Sequence, residues 1–176
     1  MEANLEALIT ENCLQKRVAE LASEIGADLS GVEVPILVGV LKGCVYFLTD
    51  LSRALSFDHQ IEFIQISTYS GQKSSSGIVQ IRKDLDTNIE GRNVLIVEDI
   101  VDTGVTLAYL REWFVSRKPK SLRIVSLLSK TESRVVDVQV EYVGFEIPNE
   151  FVVGYGLDFG ERYRNLPYIA ILRETR

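Results

Sequence analysis

Three carboxylates lie close together in the stretch Leu95–Leu107, which reads LIVEDIVDTGVTL. Glu98 and Asp99 are adjacent at the end of an apolar run, and Asp102 follows just before a turn of small, hydroxyl-bearing residues. A turn between a strand and a helix presents free N–H groups that suit a phosphate, which is an anion. The stretch therefore places three negative charges beside a candidate anion site.

The turn DTGVT predicts the phosphate-binding half of this site. Gly104 allows a ligand to approach the backbone closely, while Thr103 and Thr106 add hydroxyl donors. A helix with an ordinary N-terminal cap and no ligand would carry the same residue types. The turn alone leaves both interpretations open.

The Glu98–Asp99 pair favours a bound ligand. Adjacent like charges at the end of a buried strand repel each other and lose solvation, which makes a purely structural role unfavourable. The pair is explained if it accepts hydrogen bonds from a vicinal diol or faces a cation. A ribose 5′-phosphate carries a diol and a phosphate at neighbouring positions, so one ligand can satisfy both halves of the site.

Composition and residue usage exclude several other functions. The chain has 176 residues, of which 46% are hydrophobic and 25% are charged, and this size and composition are typical of one globular domain. Its net charge of −6 argues against a surface that binds nucleic acid or a membrane. The start MEANLEALITE and the short apolar runs predict neither a signal peptide nor a membrane span. His59 is the only histidine and is expected to be solvated, so acid–base chemistry falls to other groups. We expect Cys13 and Cys44 to be buried or partly buried thiols in a reducing cytosol.

Buried strands that alternate with helices are predicted to position these residues. Leu14, Val18, Leu21 and Ile25 have helical spacing and predict a helix that ends near Gly26. Two further helices are predicted at CVYFLTDLSRAL and LAYLREWFVSRK, and strands are predicted at PILVGVL, IEFIQIST, IVQIR, VLIV, LRIVSLL, VEYVGFEI and YIAIL.

This order predicts an α/β fold with a mostly parallel, doubly wound, twisted sheet flanked by helices. No repeat or linker divides the chain, so we expect a single domain. In such sheets ligands bind beyond the carboxyl ends of the strands. That rule points to Lys42–Gly43, to the Glu98–Thr106 loop and to the loop after Leu128.

The chain resembles the type I phosphoribosyltransferases, and within them the bacterial enzymes that act on hypoxanthine and guanine. VLIVEDIVDTGVTL is similar to the family's phosphoribosyl-diphosphate motif, and the similarity continues from about Ile36 to Ile171 through VLKG, STYSG, SLLSK and VGFEIPNEFVVGYGLDFGERYRNLP. The resemblance implies one domain over residues 1–176, with a small hood from about residues 1–35 and 146–176 and a flexible lid at 67–78. It also implies Mg²⁺-dependent transfer of a 5-phosphoribosyl group from 5-phosphoribosyl 1-diphosphate to hypoxanthine or guanine, which yields IMP or GMP and diphosphate.

The resemblance implies roles for the residues of the loop at 98–106. Glu98 and Asp99 would hold the ribose hydroxyls, and the 5′-phosphate would lie against Asp102, Thr103, Gly104, Val105 and Thr106. Asp102 would also act near purine N7 as the general base or proton acceptor, where a carboxylate favours oxocarbenium character at the sugar. Val105 departs from common family members at a variable position, and the departure matters little if Val105 contributes only its backbone N–H.

The purine pocket implied by the resemblance lies further along the chain. Lys130 would direct its ammonium at purine O6, and because an ammonium only donates, it opposes the exocyclic amine of adenine. Phe151 would stack on the base, Val152 would offer backbone groups to its edge, and Arg134 would orient this region.

Diphosphate and Mg²⁺ complete the implied site. The diphosphate would contact the loop of Leu41, Lys42 and Gly43, in which the Leu41–Lys42 peptide is often cis in the family, and also Arg164. Thr68 and Tyr69, in the lid, would also bind the diphosphate by closing over it, which keeps water away from a developing oxocarbenium ion. Asp158 would ligate Mg²⁺ beside the purine, and Glu98 and Asp99 are further candidate ligands.

Two other functions are left open by the residues alone. Some proteins of this fold bind RNA as regulators, although the acidic balance and the lack of a basic stripe argue against that here. An Asp-nucleophile phosphatase also carries an acidic residue after a strand, but it would need an Asp-x-Asp pair. We expect small-molecule substrates, no nucleic-acid or membrane partner, a cytoplasmic location, and a homodimer or homotetramer as in the family.

Overall fold

The computed structural model describes residues 4–29, 31–69 and 78–173. In this part of the chain, six strands form a central sheet in the order β4-β3-β2-β5-β6-β7, and three form a smaller sheet in the order β1-β9-β8. The strands are β1 (Asn4–Ile9), β2 (Ile36–Leu41), β3 (Gln60–Tyr69), β4 (Ile78–Lys83), β5 (Asn93–Val101), β6 (Ser121–Ser129), β7 (Tyr142–Glu146), β8 (Val152–Val153) and β9 (Ile169–Arg173).

The central sheet is mostly parallel, which confirms the predicted fold class. β2 pairs in parallel with β3 and with β5, and the parallel pairing continues from β5 to β6 and from β6 to β7. The exception is β4, which runs antiparallel to β3. The first five residues of β2 and the apolar run 94–97 of β5 are buried, as continuous apolar runs predict for strands covered on both faces.

Helices cover both faces of this sheet. α1 (Glu11–Leu29) and α2 (Val45–Ala54) pack with Leu95 and Val97 of β5 in one apolar core, while α3 (Val105–Ser116) packs with Val94 and Ile96 in a second core. The alternating side chains of β5 thus contribute to both cores. No helix within the described ranges is long and apolar enough to span a membrane.

The smaller sheet joins segments from the two ends of the chain. β1 pairs antiparallel with β9, with Asn4 opposite Arg173, and β8 pairs antiparallel with β9 on its other side. Neither β1 nor β8 was predicted. β8 has only two residues, which is too short for a periodic pattern to be visible in the sequence.

Three local expectations were wrong. α1 does not end near Gly26 but continues to Leu29, whose buried side chain extends the apolar stripe by another four-residue step. Cys13 is exposed, because it lies off that stripe, whereas Cys44 is buried as expected. His59 is partly buried, and its ring nitrogens lie 2.7 Å from Ser52 Oγ and 2.8 Å from the Phe57 carbonyl oxygen.

Candidate active site

The acid pair near the end of β5 lacks a full set of hydrogen-bond partners. Glu98 is buried, and its Oε2 accepts no hydrogen bond from the described residues. Burial and the charge of Asp99 raise the pKa of the Glu98 carboxyl well above its ordinary value. Burial also raises the pKa of Asp99 to about 6, against the opposing effects of its backbone hydrogen bonds and of Arg164. Both carboxylates are thus suited to gain a hydroxyl donor or a cation.

The turn after β5 leads directly into the N-terminus of α3. Gly104 precedes the helix with φ of 83°, and a Cβ added there would lie 2.5 Å from the Val136 carbonyl oxygen, so the position requires glycine. No side chain caps the helix, so the ordinary N-cap interpretation lacks its capping group. Asp102 and Thr103 are exposed, and Val105 and Thr106 are half-buried, around the N–H groups of this first turn.

Lys130 is buried next to Asp102. Its Nζ lies 3.5 Å from Asp102 Oδ2, and its backbone N–H donates a 2.9 Å hydrogen bond to the Val101 carbonyl. A lysine that follows a strand is usually a solvated surface charge, whereas the side chain of Lys130 is only 8% exposed. The structure therefore brings together the two residues predicted to read the purine and to accept its proton.

The segment after Lys130 is fixed to the phosphate turn by backbone hydrogen bonds. The N–H groups of Val135 and Val136 donate to the Thr103 carbonyl at 3.0 and 3.1 Å. Arg134 Nη2 donates a 3.1 Å hydrogen bond to Ser129 Oγ, directly before Lys130. These contacts fit the expectation that Arg134 orients this region.

The loop after β2 lies against the acid pair. Its Leu41–Lys42 peptide bond is cis, and a Cβ added at Gly43 would lie 1.5 Å from Asp99 Oδ2. With the Asp99 side chain in this orientation, only glycine fits at that position. The loop predicted to bind diphosphate and the pair predicted to bind ribose are thus in direct contact.

The segment around Arg164 meets the same loop from the other side. Arg164 Nη2 lies 2.8 Å from Asp158 Oδ1, and its Nη1 donates a 2.7 Å hydrogen bond to the Gly156 carbonyl. A Cβ added at Gly156 would lie only 1.9 Å from the Gly43 carbonyl oxygen. Asp158 and Arg164 therefore pack beside a segment that contacts Gly43, and Gly43 in turn contacts Asp99. Glu161, which pairs with both Lys42 and Arg164, was not predicted.

The predicted base platform lies at the smaller sheet. Phe151 is 51% exposed, and its ring packs edge-on against Phe159 with centroids 5.8 Å apart, while Val152 is buried in β8. No hydrogen bond or ion pair among the described residues joins Phe151 or Val152 to Lys130. The purine pocket that these residues would share with Lys130 stays a prediction.

The predicted lid lies mostly outside the described residues, which omit 70–77. Thr68 and Tyr69 are the last two residues of β3, where their backbones pair with Val79 and Ile78 of β4. Because Leu41 at the end of β2 is in register with Gln65, the end of β3 extends beyond the sheet edge where the site lies. The roles of Thr68 and Tyr69 stay predictions.

The oxygen donors at this edge fit a hard cation that is shared with a substrate. The described residues contain no cluster of three or more possible metal ligands. Mg²⁺ in nucleotide-type sites is held by one or two carboxylates together with substrate phosphates. The unpartnered Glu98 Oε2 and the raised pKa values of the pair match that need for a shared cation.

Comparison with known proteins decides the family. Residues 7–160 match the model of the phosphoribosyl transferase domain. This chain belongs to the phosphoribosyltransferase family. It is 48% identical over 168 residues to a hypoxanthine-guanine phosphoribosyltransferase of Bacillus subtilis, a match that covers 96% of this chain and 93% of the relative. It is 50% identical over 170 residues to the protein of that name from Mycobacterium tuberculosis, covering 94% and 84%.

Solved structures agree with this assignment. A crystal structure of a hypoxanthine-guanine phosphoribosyltransferase from Bacillus anthracis superposes with a TM-score of 0.91 at 48% identity, covering 97% of this chain and 99% of the other. The type I phosphoribosyltransferase fold implied by the sequence is thereby confirmed.

Proposed function

We propose that this chain transfers the 5-phosphoribosyl group from 5-phosphoribosyl 1-diphosphate to hypoxanthine or guanine, in the presence of Mg²⁺, with release of diphosphate. The observation that carries the proposal is the single loop that joins the Glu98–Asp99 pair to the uncapped start of α3, with Lys130 beside Asp102. The names of the relatives support the same reaction. Neither the RNA-binding nor the phosphatase alternative gains an observation in its favour.

The sugar is held from two sides. Glu98 and Asp99 accept hydrogen bonds from the ribose hydroxyls, which supplies the donor that the buried Glu98 Oε2 lacks. The N–H groups at the start of α3 and the hydroxyls of Thr103 and Thr106 receive the 5′-phosphate. The carboxylates thus contact the ribose hydroxyls, and the 5′-phosphate contacts the backbone amides.

The site recognises the base through its O6 oxygen and accepts a proton from its N7 nitrogen. Lys130 donates to purine O6, while Phe151 stacks on the ring and Val152 offers backbone groups to its edge. Asp102 accepts the proton from purine N7 as the C1–N9 bond forms, and its negative charge favours the positive charge that develops on the sugar. A buried ammonium with no acceptor function discriminates against the amine of adenine.

Diphosphate leaves toward the loop after β2. The N–H groups of Lys42–Gly43 and the Arg164 guanidinium receive its oxygens. Asp158, Glu98 and Asp99 are the carboxylates that would hold Mg²⁺, which when bound neutralises charge on the diphosphate. Leu41, Thr68 and Tyr69 complete this side of the site, with the lid at 67–78 and the hood at 1–35 and 146–176 excluding water.

One assay series tests the proposal. Purified protein is given phosphoribosyl diphosphate and Mg²⁺ with hypoxanthine, guanine, xanthine or adenine in turn, and nucleotide formation is followed by absorbance. We expect turnover with hypoxanthine and guanine and almost none with adenine, and loss of turnover when Mg²⁺ is chelated. Equal rates with adenine and hypoxanthine would remove the role given to Lys130.

The setting of the reaction is part of the proposal. We place the enzyme in the cytoplasm as a homodimer or homotetramer that acts on small molecules, without a nucleic-acid or membrane partner. The acidic net charge of −6 supports the absence of a polyanionic partner. Light scattering after gel filtration measures the assembly directly.

A further inference from the structure

Glu161 places a carboxylate between two cations on the diphosphate side of the proposed site, the Lys42 ammonium and the Arg164 guanidinium. Its Oε2 lies 3.1 Å from Lys42 Nζ, and its Oε1 lies 3.3 Å from Arg164 Nη2. Hydrogen bonds from these two side chains lower the pKa of the Glu161 carboxyl, so it is charged at neutral pH. The side chains of Lys42 and Arg164 belong to distant segments, and Glu161 is the group that joins them.

The backbone holds Glu161 in this place by an unusual turn. Phe159 and Arg162 exchange both backbone hydrogen bonds at 3.2 Å, which closes a two-residue hairpin over Gly160 and Glu161. Both central residues have positive φ, 59° at Gly160 and 64° at Glu161, a combination that favours glycine or asparagine at the second position. The Glu161 N–H also donates a 2.8 Å hydrogen bond to Asp158 Oδ2. A glutamate rarely adopts a positive φ, so its presence at this position is not explained by backbone preference.

We propose that Glu161 is an internal competitor of the diphosphate group, whose carboxylate occupies Lys42 and Arg164 until a diphosphate displaces it. This inference rests on the proposed function, which places the backbone N–H of Lys42 and the guanidinium of Arg164 against the diphosphate and so brings the Lys42 ammonium within its reach. Glu161 then weakens the binding of phosphoribosyl diphosphate and speeds the departure of product diphosphate.

The balance of charge makes the displacement feasible. The Glu161 side chain is 65% exposed and that of Lys42 is 54% exposed, and ion pairs this accessible to water are weak. A diphosphate offers more charge and more acceptor oxygens to the same two cations. Its binding therefore overcomes the carboxylate, at a modest loss of affinity.

Substitution of Glu161 by glutamine removes the charge and keeps the size of the side chain. Isothermal titration calorimetry would measure binding of Mg²⁺-phosphoribosyl diphosphate, inorganic diphosphate and IMP to the wild-type protein and to E161Q. We expect the Kd of the two diphosphate-containing ligands to fall by about threefold to tenfold, as the loss of two weak ion pairs allows. The Kd of IMP, which carries no diphosphate, stays unchanged.

Two further variants make this result specific. Glu20→Gln is the matched control, because Glu20 also lies between two cations, Arg17 at 3.1 Å and Lys16 at 3.9 Å, but on α1. We expect it to change none of the three Kd values. Glu161→Gly suits the positive φ and should tighten diphosphate binding as E161Q does, while raising the melting temperature.

The outcomes separate this inference from the proposed function. Diphosphate Kd values that are unchanged or raised in E161Q and E161G would overturn the competitor role, because Glu161 would then be neutral or would help to hold the two cations. Equal tightening of all three ligands would overturn it as well. If the wild-type protein does not bind phosphoribosyl diphosphate at all, the proposed function fails and the inference fails with it.

Discussion

Lys130 Nζ lies 3.5 Å from Asp102 Oδ2, so the cation that is proposed to read the purine oxygen faces the carboxylate that is proposed to accept the purine proton. Lys130 is held there by its backbone hydrogen bond to Val101, and the turn that carries Asp102 is held by Val135 and Val136 through the Thr103 carbonyl. The backbones that carry the two groups are therefore hydrogen-bonded to neighbouring segments, and the proposed base selection and proton transfer involve two side chains that lie side by side.

Lys130→Gln should relax the selectivity for 6-oxopurines. A glutamine amide can donate to O6 or accept from an amine, so it no longer opposes adenine. We expect kcat/KM for hypoxanthine to fall by about tenfold to a hundredfold, the range for a lost hydrogen bond to a charged group, while the ratio of adenine to hypoxanthine turnover rises. Steady-state kinetics with both bases measure this, with Lys16→Gln on α1 as the control. A ratio that stays constant would show that another group selects the base.

Asp102→Asn should reduce kcat and leave binding of phosphoribosyl diphosphate nearly intact. General acid–base groups contribute about 10²- to 10⁴-fold to rates, and asparagine keeps the shape of the side chain without its basicity. Single-turnover rates at saturating substrate give the effect. Asp137→Asn, a nearby exposed carboxylate, should retain the wild-type rate. A loss in D102N smaller than about threefold would contradict a proton-accepting role.

The sequence was sufficient for the elements that carry the site. β2 and β5 are short, continuous apolar runs, and their burial on both faces follows from that pattern alone. The acid pair and the glycine turn could be located because the pair lies near the end of β5 and the turn follows that strand directly. The end of α1 could also have been predicted, since Leu29 continues the spacing of the earlier apolar residues. The predicted helix ended too early because Gly26 was interpreted as its C-terminal signal.

Contacts between distant segments could not be predicted in the same way. The approach of Gly43 to Asp99, and of Gly156 to Gly43, depends on how three separate segments pack, and none of them carries a pattern that encodes its neighbour. Glu161 was missed for the same reason. Its local sequence, DFGERY, reads as an ordinary polar turn, and only the structure shows that Lys42 and Arg164 lie on either side of it.

The raised pKa of Asp99 predicts how the stability of the ligand-free protein depends on pH. The folded-state pKa is about 6 against an ordinary value of 3.8, so between these values the folded state holds a proton that the unfolded state has lost. This contribution stabilises the folded state at low pH and is lost as pH rises to 6 and above. For this group alone, we expect the free energy of unfolding to fall by about 2 kcal/mol from pH 4.5 to 7.5.

Asp99→Asn isolates that contribution. The variant cannot ionise at this position, so its free energy of unfolding should decline less between pH 4.5 and 7.5 than that of the wild-type protein. Urea denaturation with a chelator present measures both proteins at each pH. Parallel pH profiles for the two proteins would show that Asp99 does not carry the shifted pKa.

Tyr155→Phe should weaken the diphosphate side of the site through the backbone. The Tyr155 hydroxyl donates a 2.5 Å hydrogen bond to Asp50 Oδ2 on α2, the helix that follows the Lys42–Gly43 loop, and Gly156 presses on the Gly43 carbonyl. Burial and Asp50 raise the pKa of Tyr155, so the hydroxyl keeps its proton at neutral pH. Loss of this hydrogen bond loosens the loop against Gly156, and we expect KM for phosphoribosyl diphosphate to rise severalfold with less change in kcat.

Tyr142→Phe is the matched control for this prediction. Tyr142 donates a comparable 2.6 Å hydrogen bond to Asp28, and its pKa is raised to about 12, but Tyr142 lies on β7 and Asp28 on α1, away from the loop. Each variant should lower the free energy of unfolding by about 1 kcal/mol, the usual net value of such a hydrogen bond. Only Tyr155→Phe should change KM. If both variants raise KM equally, the effect reflects general destabilisation, and the Tyr155–Asp50 contact does not position the diphosphate loop.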